Sequence, residues 1–215
     1  MPRNVSSSGR SDERIAALVL AAGESRRMGD ANKVTIPVDG TPMVARVVDA
    51  LKQSRVQRVV VVTGHEPERI QEALGDRVVE LVHNSDYAEG IGSSVRVGVA
   101  ALGDEVDGAL VALADMPWVR TEVIHRLIDA FTSDNEHSIF VPRFGGQRGN
   151  PVLWGAQHFP ELLALVGDVG GKALFQRHAS AICYVDVESA SVNLDVDTPD
   201  ALQELAIQGD GKPTE

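Results

Sequence analysis

The sequence predicts a single-domain α/β protein with a three-layer αβα arrangement, in which helices cover both faces of a mostly parallel central sheet. Three observations carry this. Short apolar runs alternate with amphipathic stretches through the first half of the chain, as in strands joined by helical crossovers. Val, Ala and Leu dominate an apolar fraction of 43% while aromatics make up only 4%, which suits strands buried on both faces. The 215 residues fall within the size of one domain, with no internal repeat and no stretch that reads as an interdomain linker. The expected boundaries are 15–207 for the domain, with a polar, Ser-rich lead-in over 1–14 and a polar tail over 208–215, both expected to be disordered.

Taken in order, Ile15 to Ala22 is a continuous apolar run that ends in Gly23, the pattern of a buried strand running into a loop. Pro42 opens a helix to about Ser54, with Val44, Val47, Val48 and Leu51 on one face. Gln57 to Thr63 reads as a second strand stopped by Gly64, Glu66 to Leu74 as a helix and Val78 to Val82 as a third strand. Gly90 to Leu102 reads as a helix, and Gly108 to Ala114 as a fourth strand that runs straight into Asp115-Met116-Pro117. Ser138 to Pro142 and Pro151 to Trp154 are extended runs on either side of a glycine-rich connection, a hairpin-like pair. Helices are expected over Gln157 to Val166 and Gly171 to His178, and a strand over Ala181 to Val187. A last helix is expected after Asp197-Thr198-Pro199, where a capping threonine precedes a first-turn proline.

Charge and composition exclude several classes. The net charge is -11, and the one basic cluster, Arg26-Arg27, sits inside a glycine loop. That argues against a nucleic-acid binder, which carries a basic face or stripe. No run approaches the ~18 apolar residues of a membrane span, and the first residues lack the apolar core of a secretory signal. Cys183 is the only cysteine, so no disulfide forms within the chain, and a reducing, cytoplasmic setting is expected. Cys183 itself reads as a small buried hydrophobe. The six histidines show no metal-ligand spacing, although His65 stands at a strand end.

Leu20-Ala21-Ala22-Gly23-Glu24-Ser25-Arg26-Arg27-Met28-Gly29 follows the first strand directly, with Lys33 four residues on. Loops at the carboxyl ends of parallel strands bind ligands, and small residues let backbone N–H groups approach phosphate oxygens. Arg26, Arg27 and Lys33 would offset the charge of a triphosphate. Gly29 is followed by Asp30 rather than Lys, so the G-x-x-x-x-G-K-[ST] phosphate loop is absent, and G-x-G-x-x-G is absent too. A purely structural glycine loop with solvated arginines is the alternative. Asp115, at a strand's end before a proline turn, is suited to bind Mg²⁺; the same triplet also serves to organise a turn. Farther on, an extended Asn193-Leu194-Asp195-Val196-Asp197 would set Asn193, Asp195 and Asp197 on one face, or Asp197 and Thr198 cap the last helix. Gly90-Ile91-Gly92-Ser93-Ser94 opens a helix whose free N–H groups suit an anion or a base edge, with ordinary capping by either serine as the alternative.

The L-A-A-G-x-S-x-R-M-G…K pattern of Leu20 to Lys33 resembles the signature loop of the MobA-like NTP transferase family, which includes the molybdenum cofactor nucleotidyltransferases. It is most similar to their cytidylyltransferase (MocA-like) branch, and the resemblance runs from about Ile15 to Leu205. It implies a Rossmann-like nucleotidyltransferase fold and transfer of a nucleoside monophosphate from CTP to a molybdopterin cofactor, releasing pyrophosphate with Mg²⁺ as cofactor. A recipient molybdoenzyme or its chaperone is the further partner implied. By the same resemblance Leu20, Ala21, Ala22, Gly23, Arg26, Gly64 and Ser94 hold the nucleotide, and Arg27 and Lys33 are the catalytic cations on its phosphates. Asp115 is the metal ligand, and likeness to the D-T-P segment of sugar-activating cytidylyltransferases gives the second ligand to Asp197, with Asp195 in reserve.

Arg148-Gly149-Asn150-Pro151-Val152-Leu153-Trp154 resembles the branch's G-H-P-V-L-F segment, with Asn150 in place of His and Trp154 in place of Phe. Arg148, Asn150 and Pro151 are thereby expected at the second substrate, and Ser93 is expected there because Gly90 to Ser94 resembles the family's G-x-x-x-S segment. Gly167 to Lys172 is similar to a family segment that ends in Arg, and Lys172 is expected at the acceptor phosphate. The guanylyl branch has L-A-G-G where this chain has Leu20-Ala21-Ala22-Gly23, so the Ala22 methyl is a basis for choosing the smaller pyrimidine. A phosphate nucleophile needs no strong general base, which agrees with the lack of a Ser/His/Asp arrangement. The rival readings are a nucleotidyltransferase using GTP or a sugar phosphate, and a cofactor-binding or redox protein that reuses the fold.

Overall fold

The computed structural model describes residues 13–24 and 32–196. Alternation along β1 (Ile15–Leu20) decides the layering. Ala17 and Val19 belong to the core on one face and Ala16 and Leu18 to the core on the other. Against the first face pack α1 (Met43–Lys52), α2 (Pro67–Leu74) and α4 (Thr121–Ser133), through Val44, Val47, Leu51, Ile70, Leu74, Ile124 and Leu127. Against the second pack α3 (Ile91–Leu102) and the single turn α5 (Phe159–Leu162), through Val95, Val99, Leu102, Phe159 and Leu162. Full burial stabilises each such apolar side chain by roughly 1.5–3 kcal/mol relative to exposure. The result is the expected three-layer αβα fold.

Besides β1 the sheet contains β4 (Arg58–Thr63), β5 (Glu80–His83), β6 (Gly108–Leu113), β7 (Ile139–Phe144), β8 (Gln147–Arg148), β9 (Val152–Gly155) and β10 (Ile182–Asp186). β2 (Pro37–Val38) and β3 (Thr41–Pro42) form a separate small hairpin leading into α1. The strand order is β10-β7-β9-β6-β1-β4-β5, with β8 hairpinned onto β7. β1 pairs in parallel with β4 and β6, β4 with β5, and β7 with β10. Only β8 and β9 run against this direction. β7 therefore runs the same way as β6 and β1, and one edge of the sheet collects the carboxyl ends of every parallel strand.

The expected strands over 15–22, 57–63, 108–114 and 181–187 appear within two residues of those limits. The third, expected from Val78, starts at Glu80. Two expected helices are much shorter. Over 157–166 there is a 3-10 turn and the four-residue α5, and over 171–178 a 3-10 turn at Gly171–Leu174. Gly167, Gly170 and Gly171 interrupt this stretch, and glycine is a poor helix former. The run toward Asp197 is not an extended strand either, because Asn193 closes a 3-10 turn, Ala190–Asn193, capped by the Ser189 hydroxyl. Cys183 is half-buried rather than enclosed. α4 has no counterpart among the expected elements, and the expected last helix lies outside the described residues. No helix among the described residues is long and apolar enough to cross a membrane.

Candidate active site

The carboxyl ends of β1 and β6 open onto a cleft of about 430 Å³. Sheet register builds its wall. Leu20 is paired with both Val62 and Leu113, so Ala22, Gly64 and Asp115 each stand two residues beyond a matched trio. Ala21 N–H donates to Val62 O at 2.9 Å, Ala114 N–H to Leu20 O at 3.2 Å, and His65 N–H to Ala22 O at 3.2 Å. The loop is thus held in strand-like register past the end of β1. Gly64 stands behind this wall, where a β-carbon would fall 2.6 Å from the Tyr87 Cβ and 2.8 Å from the Ala22 Cβ. Only glycine fits there.

Lys33 enters from the 3-10 turn Lys33–Thr35. Buried Asn32 anchors this turn, its carbonyl accepting from the Thr35 hydroxyl at 2.8 Å and its side-chain amide donating to His65 O at 3.4 Å. Lys33 Nζ donates to Asp115 Oδ2 at 2.7 Å, the two side chains being 13% and 20% exposed. A charge pair so largely removed from water is stronger than a surface pair. The other oxygen, Asp115 Oδ1, is shielded from solvent and accepts no hydrogen bond. A buried acceptor left without a partner costs about 1–3 kcal/mol, and more for a charged group. That oxygen fits a hard divalent cation, with Asp115 as one of its ligands. Glu24, Glu89 and Asp168 also line the cleft, so among its described residues carboxylates outnumber the single cation Lys33. Val196 N–H donates to Asp115 O at 3.0 Å, which brings the chain back to the site one residue before Asp197.

The opposite wall is the start of α3. Gly90 has φ +112°, and a β-carbon on it would fall 2.5 Å from the Asp168 Cα. Gly92 N–H donates to Gly167 O at 3.1 Å and Ile91 N–H to Asp168 Oδ1 at 3.4 Å. The Asp168 carboxylate therefore occupies the positive end of the helix where an anion site was expected. Asn84, 1% exposed, ties this wall to the sheet. Its Nδ2 donates to Ser93 Oγ at 2.8 Å and Ser94 Oγ at 3.0 Å, and its Oδ1 accepts from Asp86 N–H at 3.0 Å. Its own N–H donates to Thr63 O at 2.8 Å.

Of the residues expected at the site, Leu20, Ala21, Ala22, Gly23, Lys33, Ser94 and Asp115 come together on the cleft wall. Arg26, Arg27 and Asp197 lie outside the described residues. Ser93 is fully buried and turned inward, its hydroxyl within donating distance of Asp86 O and Gly90 O, so it holds the turn. Gly64 supports the wall from behind. Arg148 is exposed and lies over the Phe175 ring, 5.4 Å from its centroid, because β8 turns back along β7. Asn150 and Pro151 line a separate small cavity with Val47 and Leu51, beneath Leu113. Lys172 is exposed on its 3-10 turn. Asn84, Tyr87, Glu89 and Asp168 are cleft or wall residues that sequence reasoning missed. For Asn84 a signal exists, since a polar residue follows β5 at the same sheet edge.

Fold and cleft define an α/β protein whose ligand site opens at the carboxyl edge of a mostly parallel sheet, with a lysine–carboxylate pair on its floor. The chain belongs to the MobA-like NTP transferase domain family, whose model matches residues 17–182. It is similar to the molybdenum cofactor cytidylyltransferase of Escherichia coli, with 26% identity over 86% of this chain and 92% of that one. Similarity to the nicotine blue oxidoreductase of Paenarthrobacter nicotinovorans is 26% over 89% and 96%. The bifunctional protein GlmU of Symbiobacterium thermophilum is 41% identical over 54% of this chain, which spans only 25% of that relative's length. Among solved structures, Rv0371C of Mycobacterium tuberculosis in complex with manganese superposes with a TM-score of 0.75 and 26% identity, covering 90% and 98% of the two chains. The fold is that of its nucleotidyltransferase neighbours, as expected.

Proposed function

We propose that the protein transfers a cytidylyl group from CTP to the phosphate of a molybdopterin cofactor and releases pyrophosphate. The observation that carries this reading is the Lys33–Asp115 pair in the cleft, with Asp115 Oδ1 buried and unsatisfied beside the small-residue loop after β1. In this reading Asp115 holds Mg²⁺, with Asp197 as the second ligand. The ion, when bound, offsets the triphosphate's charge and acts as a Lewis acid toward the α-phosphoryl group. The chain's own residues do the rest. Backbone N–H groups of the loop and Arg26 embrace the nucleotide, and Lys33 orients Asp115 while remaining within reach of the phosphates. Arg27 and Lys33 stabilise charge developing on the departing pyrophosphate. The acceptor phosphate is ionised at neutral pH and attacks in line without a general base. The E. coli relative, covering nearly all of both chains, supports the acceptor and the cytidylyl choice.

A redox reading has its own support in the P. nicotinovorans relative, of equal identity and slightly greater coverage of both chains. The discriminating measurement is pyrophosphate release with each of the four NTPs, with and without molybdopterin cofactor. Release that requires CTP and the cofactor is expected. Release with GTP, or with UTP and a sugar phosphate, would redirect the substrate, and no release with any NTP would sink the transferase reading.

Base choice has a separate test. Ala22 is buried against the cleft, and overpacking by one methyl costs roughly 1–3 kcal/mol. Ala22→Gly is therefore expected to shift the CTP/GTP efficiency ratio toward GTP by about five- to 150-fold. A ratio that stays put would move base selection to other residues.

A further inference from the structure

At the amino end of the sheet, opposite the cleft, packing gathers two of the six histidines with a glutamate. His158 ends the 3-10 turn Ala156–His158, Glu161 lies three residues on in α5, and His178 follows the Gly171–Leu174 turn. One ligand atom from each lies within 4.8 Å of the others. Phe175, three residues before His178, stacks on Trp154 at 5.6 Å between centroids, and the His178 ring lies 4.8 Å from that of His158.

The second polar atom of two of these side chains is already committed elsewhere. His158, 5% exposed, lies with its Nε2 2.8 Å from the Ser138 hydroxyl, which leaves Nδ1. Glu161 Oε2 accepts from Arg177 at 2.7 Å, which leaves Oε1. That Oε1 is 2.7 Å from His178 Nε2, a nitrogen shielded from solvent, so these two atoms pair with each other. Outer partners that fix the orientation of metal-binding imidazoles and carboxylates are the usual companions of a metal site. The other cluster of this kind, Asp134, His137 and Cys183, differs. There Asp134 Oδ1 accepts from the N–H groups of Glu136 and His137, and Oδ2 meets His137 Nδ1 at 2.7 Å, so both oxygens serve one local turn, whereas Glu161 Oε1 meets an imidazole brought in from a separate segment.

The geometry points to a site for a divalent transition-metal ion of the zinc class, held by His158 Nδ1, Glu161 Oε1 and His178 Nε2 with a fourth position for water. Two imidazoles and a carboxylate suit zinc, whereas Mg²⁺ takes oxygen ligands and would prefer Asp115. The ion would pin both ends of the segment between Glu161 and His178, which carries Asp168 to the start of α3.

The test is calorimetric titration of the full chain, stripped of metal by a chelator, with Zn²⁺ in excess Mg²⁺. One saturable equivalent and a raised melting temperature are expected, both retained in Asp115→Asn. His178→Ala, at a side chain 22% exposed, is expected to fold normally and to lose affinity by more than about 100-fold, beyond the loss typical of an outer partner. Glu161→Gln is expected to weaken binding in the same direction. Absence of saturable binding, or unchanged affinity in His178→Ala, overturns the site. Loss of binding in Asp115→Asn overturns it equally, by moving the zinc to the cleft.

Discussion

Leu20, Ala21, Ala22, Gly64 and Asp115 lie at or just beyond the ends of strands that are side by side and run in one direction. Between Arg148 and Lys172 the expected site residues sit on a hairpin strand, a short antiparallel strand and a glycine-broken stretch of 3-10 turns. The first group converges and the second disperses. Parallel register propagates position: with Leu20 matched to Val62 and Leu113, equal offsets bring Ala22, Gly64 and Asp115 together. No such rule links Arg148, whose partner is the Phe175 ring, with Pro151 beneath Leu113 or with exposed Lys172.

Three measurements break or sharpen that contrast. Asp115→Asn carries the largest expected effect. It keeps the shape but removes the charge that a hard cation needs, so pyrophosphate release should fall to background while the far-UV circular dichroism spectrum is retained. Normal turnover in Mg²⁺ would remove Asp115 from the chemistry. Next comes Gly90→Ala, where the start of α3 meets the Asp168 segment. The positive φ costs on the order of 1–3 kcal/mol for a residue with a side chain, and overlap with Asp168 adds about 1–3 kcal/mol. A fall in melting temperature of roughly 4–24 °C is expected at about 2–4 °C per kcal/mol. A wild-type melting curve would show that the Asp168 segment gives way freely. The smallest effects separate the two lysines. Lys33→Ala should weaken NTP binding by about 1.5–3 kcal/mol, and Lys172→Ala should leave NTP affinity unchanged and stability within about 0.5 kcal/mol. Equal losses in both variants would mean that the second region closes on the nucleotide after all.

Much of the first region was legible because its signals are local. The Arg58–Thr63 strand is a run of β-branched residues stopped by glycine, and α1 follows directly on Pro42. α4 has an equally local signal, although it is absent from the expected elements. Val123, Ile124, Leu127, Ile128 and Phe131 recur with helical period, and all five are buried. The shortened helices over 157–178 show the opposite failure, where spacing suggested a helix that three glycines do not sustain.

By itself the sequence determined the alternating strands and helices, the small-residue loop after β1, and Asp115 at the end of β6. Each is a matter of backbone sterics and apolar period within a few residues. Tertiary structure alone decided that Asp168 closes the start of α3 from 77 residues away, and that buried Asn84 ties Ser93 and Ser94 to the sheet edge. It alone decided that His158 and Glu161 meet His178. Such meetings depend on where crossovers return the chain and which rings stack in the core, and no short window of sequence contains that information.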